Sequence, residues 1–63
     1  MKYKFKNPTK ENHTLNVDAA NDNEAIDLFV KMAPTVGFYP NEVKQLVNEI
    51  LNGEYQHVAV LQA

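Results

Sequence analysis

The absence of cysteine from a chain of only 63 residues limits the fold more than any other feature of the sequence. A domain of this size buries only about 60% of the surface that its unfolded chain exposes, and such domains often depend on disulfides, metals or partner subunits. Without cysteine, disulfides and thiolate zinc sites are excluded. The two histidines, His13 and His57, lie far apart and have no ligand-like neighbours at helical spacing. We therefore expect one well-packed domain over residues 1–63, with no metal and no cofactor.

Two runs of alternating polarity predict a β-hairpin at the start of the chain. In residues 2–6, Tyr3 and Phe5 alternate with lysines, so the aromatic rings and the ammonium groups should lie on opposite faces of a strand. Residues 13–17 alternate again, with aliphatic side chains on one face. The polar residues 7–12 between the two runs contain a proline and asparagines, which favour a turn.

Apolar residues at intervals of three and four predict two amphipathic helices. The first should begin after Asn21, which suits the N-cap, and should end before Pro34. The second should start at Pro40, where a missing N–H costs little, and run to Leu51. Gly53 then provides a stop, since glycine readily takes the left-handed conformation that ends many helices.

Residues 54–61 are rich in β-branched and aromatic side chains and predict a third strand. The element order is therefore ββααβ. It predicts an α+β fold of two layers, with a three-stranded, mainly antiparallel sheet and both helices packed on one of its faces. The pattern does not fix the strand order, because the third strand could pair with either the first or the second.

No combination of residues in the sequence is typical of catalysis. The chain has no serine, and a nucleophile needs a base within reach. His13 and its neighbour Thr14 cannot act together in a strand, because adjacent side chains point to opposite faces. We interpret His13 as a structural histidine at the edge of the sheet, and we expect no catalytic residues and no enzymatic activity.

Lys2, Lys4 and Lys6 form a row on one face of the first strand, with ammonium groups about 6–7 Å apart. Such a row could follow a phosphate backbone, could meet an acidic protein surface, or could simply discourage pairing between sheet edges. The chain contains no arginine and its net charge is −2, which weighs against nucleic acid.

Phe38 and Tyr39 are adjacent aromatic residues in the short connection between the two predicted helices. Aromatic side chains are enriched at the centres of protein interfaces, so either ring is a candidate contact for a partner. In a chain with so few aromatic residues, we expect at least one of the two rings to close the core.

Three segments resemble the small phage-encoded inhibitors of bacterial RNA polymerase: residues 13–17 (HTLNV), 23–28 (NEAIDL) and 34–38 (PTVGF). The resemblance spans residues 13–38, and the second predicted helix has no counterpart in it. It implies a short α+β protein that binds and blocks a host complex, as anti-CRISPR and other anti-defence inhibitors do. It assigns a function to no individual residue.

These observations favour a non-enzymatic, protein-binding module that acts on a host protein complex. Its candidate contacts are Lys2, Lys4, Lys6, Phe38 and Tyr39. The alternatives are a nucleic-acid-associated regulator that uses the lysine strand, and a structural homodimer without a separate ligand. No apolar run approaches the ~20 residues of a membrane span, and no apolar segment of a signal peptide follows the basic start. We therefore expect a cytoplasmic protein.

Overall fold

The computed structural model describes residues 1–61 and confirms the predicted ββααβ order. The elements are β1 (Lys2–Lys6), β2 (Thr14–Asp18), α1 (Asp22–Met32), α2 (Pro40–Leu51) and β3 (Val58–Leu61). The three strands form one antiparallel sheet, and the helices pack on one of its faces. Within residues 1–61, neither helix has the length and apolar character needed to cross a membrane.

The strand order is β2-β1-β3, which answers the question that the sequence pattern left open. The first strand is central and pairs antiparallel with both others. Tyr3 lies opposite Val17 on one side and Val60 on the other, while Phe5 is flanked in the same way by Leu15 and Val58. The two aromatic residues of β1 therefore lie at the centre of the sheet face that the helices cover.

Three phenylalanines join the sheet, α1 and the connection between the helices. The ring of Phe29, from α1, stacks on Phe5 with the centroids 4.1 Å apart. It also meets Phe38 edge to face at 5.2 Å. Leu46 and Ile50 of α2 complete this core and are buried with it. The predicted amphipathic stripes of both helices thus pack on the aromatic face of the sheet.

The helix boundaries follow from the residues that the sequence singled out. The Asn21 side chain accepts the backbone N–H of Glu24 at 2.9 Å, as expected for the N-cap of α1. Pro40 is the first residue of α2, and Gly53 follows that helix with φ of +72°. Gly37 also has a positive φ, +88°, which turns the chain between the helices.

The starts of two strands differ from the sequence prediction. The third strand begins at Val58 and not at residue 54, because the segment before it folds back on the end of α2. The N–H of Glu54 donates to the Glu49 carbonyl at 2.7 Å, and the Glu49 carboxylate accepts the His57 N–H at 2.8 Å. The second strand begins at Thr14, which places His13 in the loop before it.

Candidate interaction surface

The side of the sheet turned away from the helices is not covered by any element of residues 1–61, and its central strand carries the lysine row. We call this side the lysine face. It consists of Lys2, Lys4 and Lys6 from β1, Thr14, Asn16 and Asp18 from β2, and Ala59 and Leu61 from β3. The alternation predicted for residues 2–6 is confirmed, because the two aromatic residues of this strand are buried and the lysines are exposed or half-exposed.

The register places short side chains on both sides of the lysine row. Lys4 lies between Asn16 and Ala59, and Lys6 lies opposite Thr14. Alternate residues of a strand are about 6–7 Å apart, so the three lysines span about 13 Å along β1. Lys2 and Lys6 are exposed at the two ends of the row, and Lys4 between them is half-exposed.

The lysine face and the remainder of the chain differ in charge. The lysine face carries three lysines and one acid, Asp18, whereas the remainder of the chain carries three lysines and seven acids. The lysine face is therefore positive although the chain has a net charge of −2. Such a separation orients a protein in the field of a charged partner before contact.

A shallow groove extends the lysine face at the end nearest Lys6. It has a volume of about 340 Å³, and its lining includes Lys6, Lys10 and His57 together with the loop between β1 and β2. The ammonium group of Lys10 lies 5.1 Å from the ring centroid of Tyr39, which is within the range of a cation–π contact. Lys10 thus connects the lysine face to the aromatic residue that precedes α2.

The two adjacent aromatic candidates have different environments. Phe38 is only 4% exposed and belongs to the core, where its ring also stacks on His13 with centroids 4.5 Å apart. Tyr39 is 60% exposed. The expectation that at least one ring closes the core is confirmed. Of the two, Tyr39 presents its ring to solvent and remains the candidate contact.

A network of polar side chains fixes the loop between β1 and β2, and no pattern in the sequence predicted it. Asn7 is buried, and its side-chain oxygen accepts the Thr9 N–H at 2.9 Å, which places its amide group toward His13. That amide donates to His13 Nδ1 at 2.9 Å. His13 Nε2 then donates to the Val36 carbonyl at 2.6 Å. The histidine interpreted as an edge residue therefore ties the loop to the connection between the helices.

Glu42 anchors the other side of this loop and is only 2% exposed. Its carboxylate accepts hydrogen bonds from the Thr9 hydroxyl and, at 2.8 Å, from the Tyr39 backbone N–H. The Thr9 hydroxyl and then the Tyr39 amide hold the pKa of the Glu42 carboxyl below its usual value, against the opposing effect of burial. The sequence does contain a signal for this contact. Glu42 lies three residues after Tyr39, the N-cap of α2, and a glutamate at that position can reach back to the backbone N–H of the cap residue.

Replacing Glu42 by glutamine should destabilise the protein at pH 7 and much less at pH 3. A carboxyl whose folded-state pKa is depressed stabilises the fold above its unfolded pKa of about 4.3. This stabilisation is lost as the pH falls through the folded-state value. Urea denaturation at both pH values measures the change, with Glu54→Gln as a control at an exposed carboxylate. An equal loss of stability at pH 7 and pH 3 would contradict the conclusion that folding lowers the pKa of the Glu42 carboxyl.

A second carboxylate, Asp22 at the start of α1, accepts hydrogen bonds from two tyrosines. The Tyr3 hydroxyl donates to one oxygen at 2.6 Å, and the Tyr55 hydroxyl donates to the other at 3.0 Å. Burial, with the bond to Asp22, raises the pKa of Tyr3 to about 12. The bond to Asp22 is also the main cause that raises the pKa of Tyr55. Both phenols therefore remain donors at neutral pH and tie β1 and the segment before β3 to α1.

Residues 1–61 contain no group of three or more histidine, aspartate or glutamate side chains arranged to hold a metal ion. The polar clusters described above connect elements of the fold to one another. The lysine face and the exposed ring of Tyr39 remain the candidate contacts. No protein-family model, curated protein or solved structure matches the chain.

Proposed function

We propose that this chain is a non-enzymatic binding module whose lysine face docks on an acidic surface of a larger protein. The observation that carries the proposal is the position of β1, which is the central strand of a sheet covered on one side only. Lysines protect a sheet against aggregation mainly when they lie on its edge strands. Lys2, Lys4 and Lys6 lie on the central strand, so edge protection is a poor explanation for them.

The chemistry of lysine suits a carboxylate-rich protein surface. An ammonium group is a point charge on a flexible stem, and it can meet carboxylates in many orientations. A standard interface buries about 800 Å² on each partner, which is about a fifth of the 4147 Å² accessible surface of the described residues. We assign this area to the lysine face and the adjoining groove.

The proposal includes the role implied by the resemblance to phage-encoded inhibitors. A small protein that covers an acidic surface of a host complex can block that complex without any reaction of its own. Under this proposal the partner is a host protein complex and the site of action is the cytoplasm.

Nucleic acid is the second candidate partner, and the spacing of the lysine row supports it, because phosphates along an extended single strand repeat over a similar distance. Two features weigh against it. The lysine face contains no aromatic side chain on which a base could stack, and the chain contains no arginine. Fluorescence anisotropy with labelled single-stranded DNA and RNA at about 50 mM salt tests this candidate, with a salt slope of about two to three ions if it holds.

The experiment that tests the main proposal is capture from a host lysate with matched variants. The tagged wild-type protein and the double variant Lys31→Gln/Lys44→Gln, whose changes lie on the helical side, should retain the same acidic protein after nuclease treatment. The variant Lys2→Gln/Lys4→Gln/Lys6→Gln should lose it. Equal retention by all three proteins would refute the proposal, and retention that nuclease abolishes would favour nucleic acid instead.

A further inference from the structure

The outer edge of β2 presents unpaired backbone groups. In this hairpin, the Asn7 N–H donates to the His13 carbonyl at 2.8 Å, and the Ala19 N–H donates to the Met1 carbonyl at 2.9 Å. Because bonding alternates along an antiparallel strand, the odd-numbered residues of β2 face β1 and the even-numbered ones face outward. The outward backbone groups belong to Thr14, Asn16 and Asp18.

The two edges of the sheet differ in their accessibility. Thr14, Asn16 and Asp18 are all exposed, and β2 contains no lysine and no proline that would discourage pairing with another strand. On the opposite edge, the outward groups of β3 belong to Val58 and Val60. Val58 is only 2% exposed, so the edge of β3 is closed at that residue. The edge of β2 is therefore the one available to a further strand.

The sequence of β2 is complementary to itself in one antiparallel register. When Asn16 lies opposite Asn16 of a second copy, Thr14 lies opposite Asp18 of that copy, and Asp18 lies opposite its Thr14. The hydroxyl of threonine can donate to the carboxylate, and the two asparagine amides can bond to each other. On the helix side, Leu15 lies opposite Val17 of the second copy, which continues the apolar face across the junction.

We propose that two copies of this chain pair antiparallel through β2 and form a continuous six-stranded sheet. The two-fold axis of such a pair is perpendicular to the sheet, so both lysine faces lie on the same side. The dimer then presents six lysines on one surface, three from each copy. This inference goes beyond the proposed function and does not depend on the identity of the partner.

Sedimentation velocity and amide hydrogen exchange, from about 10 µM to about 1 mM protein, test the proposal. The fraction of dimer should rise with concentration, and the amides of Thr14, Asn16 and Asp18 should become protected along with it. Asn16→Pro removes an outward N–H without breaking a bond to β1, and we expect it to weaken dimerisation about tenfold or more. Val60→Pro makes the same change on the β3 edge and should leave dimerisation unchanged.

Three results would overturn the proposal. They are a protein that stays monomeric at about 1 mM, a dimer whose Thr14, Asn16 and Asp18 amides remain unprotected, and a dimer that Asn16→Pro leaves intact. If Asn16→Pro fails to fold, Asn16→Lys serves as the test variant. In the proposed dimer this substitution places two ammonium groups next to each other at the two-fold axis, where they repel. A dimer of normal affinity in that variant would also overturn the proposal.

Discussion

Replacing Phe29 by alanine should leave a large fraction of the protein unfolded at room temperature. Removal of a buried phenylalanine side chain typically costs about 3–5 kcal/mol. A core of this size, without disulfide or metal, rarely supplies more than about 3–5 kcal/mol of net stability. The expected loss is therefore comparable to the whole stability of the fold. Far-UV circular dichroism, recorded as a function of temperature, measures it.

Phe29 has this effect because it joins α1 to two other parts of the core. Its ring stacks on Phe5 of the sheet and meets Phe38 of the connection between the helices. Val30 is the neighbouring residue on α1 and is 46% exposed, so Val30→Ala is a suitable control, with an expected change within about 0.5 kcal/mol. A cooperative thermal transition of Phe29→Ala near that of the wild type would show that the core does not depend on this ring.

Changing both Lys2 and Lys6 to glutamate should slow association with the captured acidic protein by about 10- to 100-fold at low salt. Both side chains are exposed on the lysine face, and the change reverses its sign. Charges at the rim and surface of an interface act mainly on the association rate, because they steer the encounter. Surface plasmon resonance at several salt concentrations measures the rate and its ionic-strength dependence.

The matched control for this variant is Lys31→Glu/Lys44→Glu. It alters the net charge by the same amount, and both residues are exposed on the helices. We expect its association rate to stay within about threefold of the wild type, because the two changed residues lie on the helices, on the side of the protein opposite the lysine face. A similar decrease in both variants would mean that net charge alone governs association and that the lysine face has no specific role.

Much of the fold could be predicted because its signals are local. The alternation in β1 and the periodic apolar positions of the helices each depend on residues within one element. The order of the strands could not be predicted, because the pattern of β3 fits either edge of the hairpin equally well. The start of β3 was placed too early because the carboxylate of Glu49, on α2, takes the backbone N–H of His57. Such a contact leaves no periodic signal in the sequence.

The candidate surface, too, could be predicted from the sequence only in part. The sequence placed Lys2, Lys4 and Lys6 on one side of a strand, but only the strand order shows that they occupy the centre of an uncovered sheet face. The sequence also paired Phe38 with Tyr39 as candidates without distinguishing them. The turn at Gly37 and the stacking of Phe38 on His13 decide which ring is buried, and both are tertiary features.

An NMR titration of the ¹⁵N-labelled protein with a polyglutamate peptide at low salt tests whether the lysine face binds an acidic polypeptide. Polyglutamate supplies an acidic polypeptide surface without any other recognition feature. We expect salt-sensitive shifts of the amides of residues 2–6 and of their neighbours Asn16 and Ala59, with α1 and the exposed side of α2 unaffected. Shifts confined to the helices, or no shifts at all, would contradict the claim that the lysine face is the surface on which this protein binds.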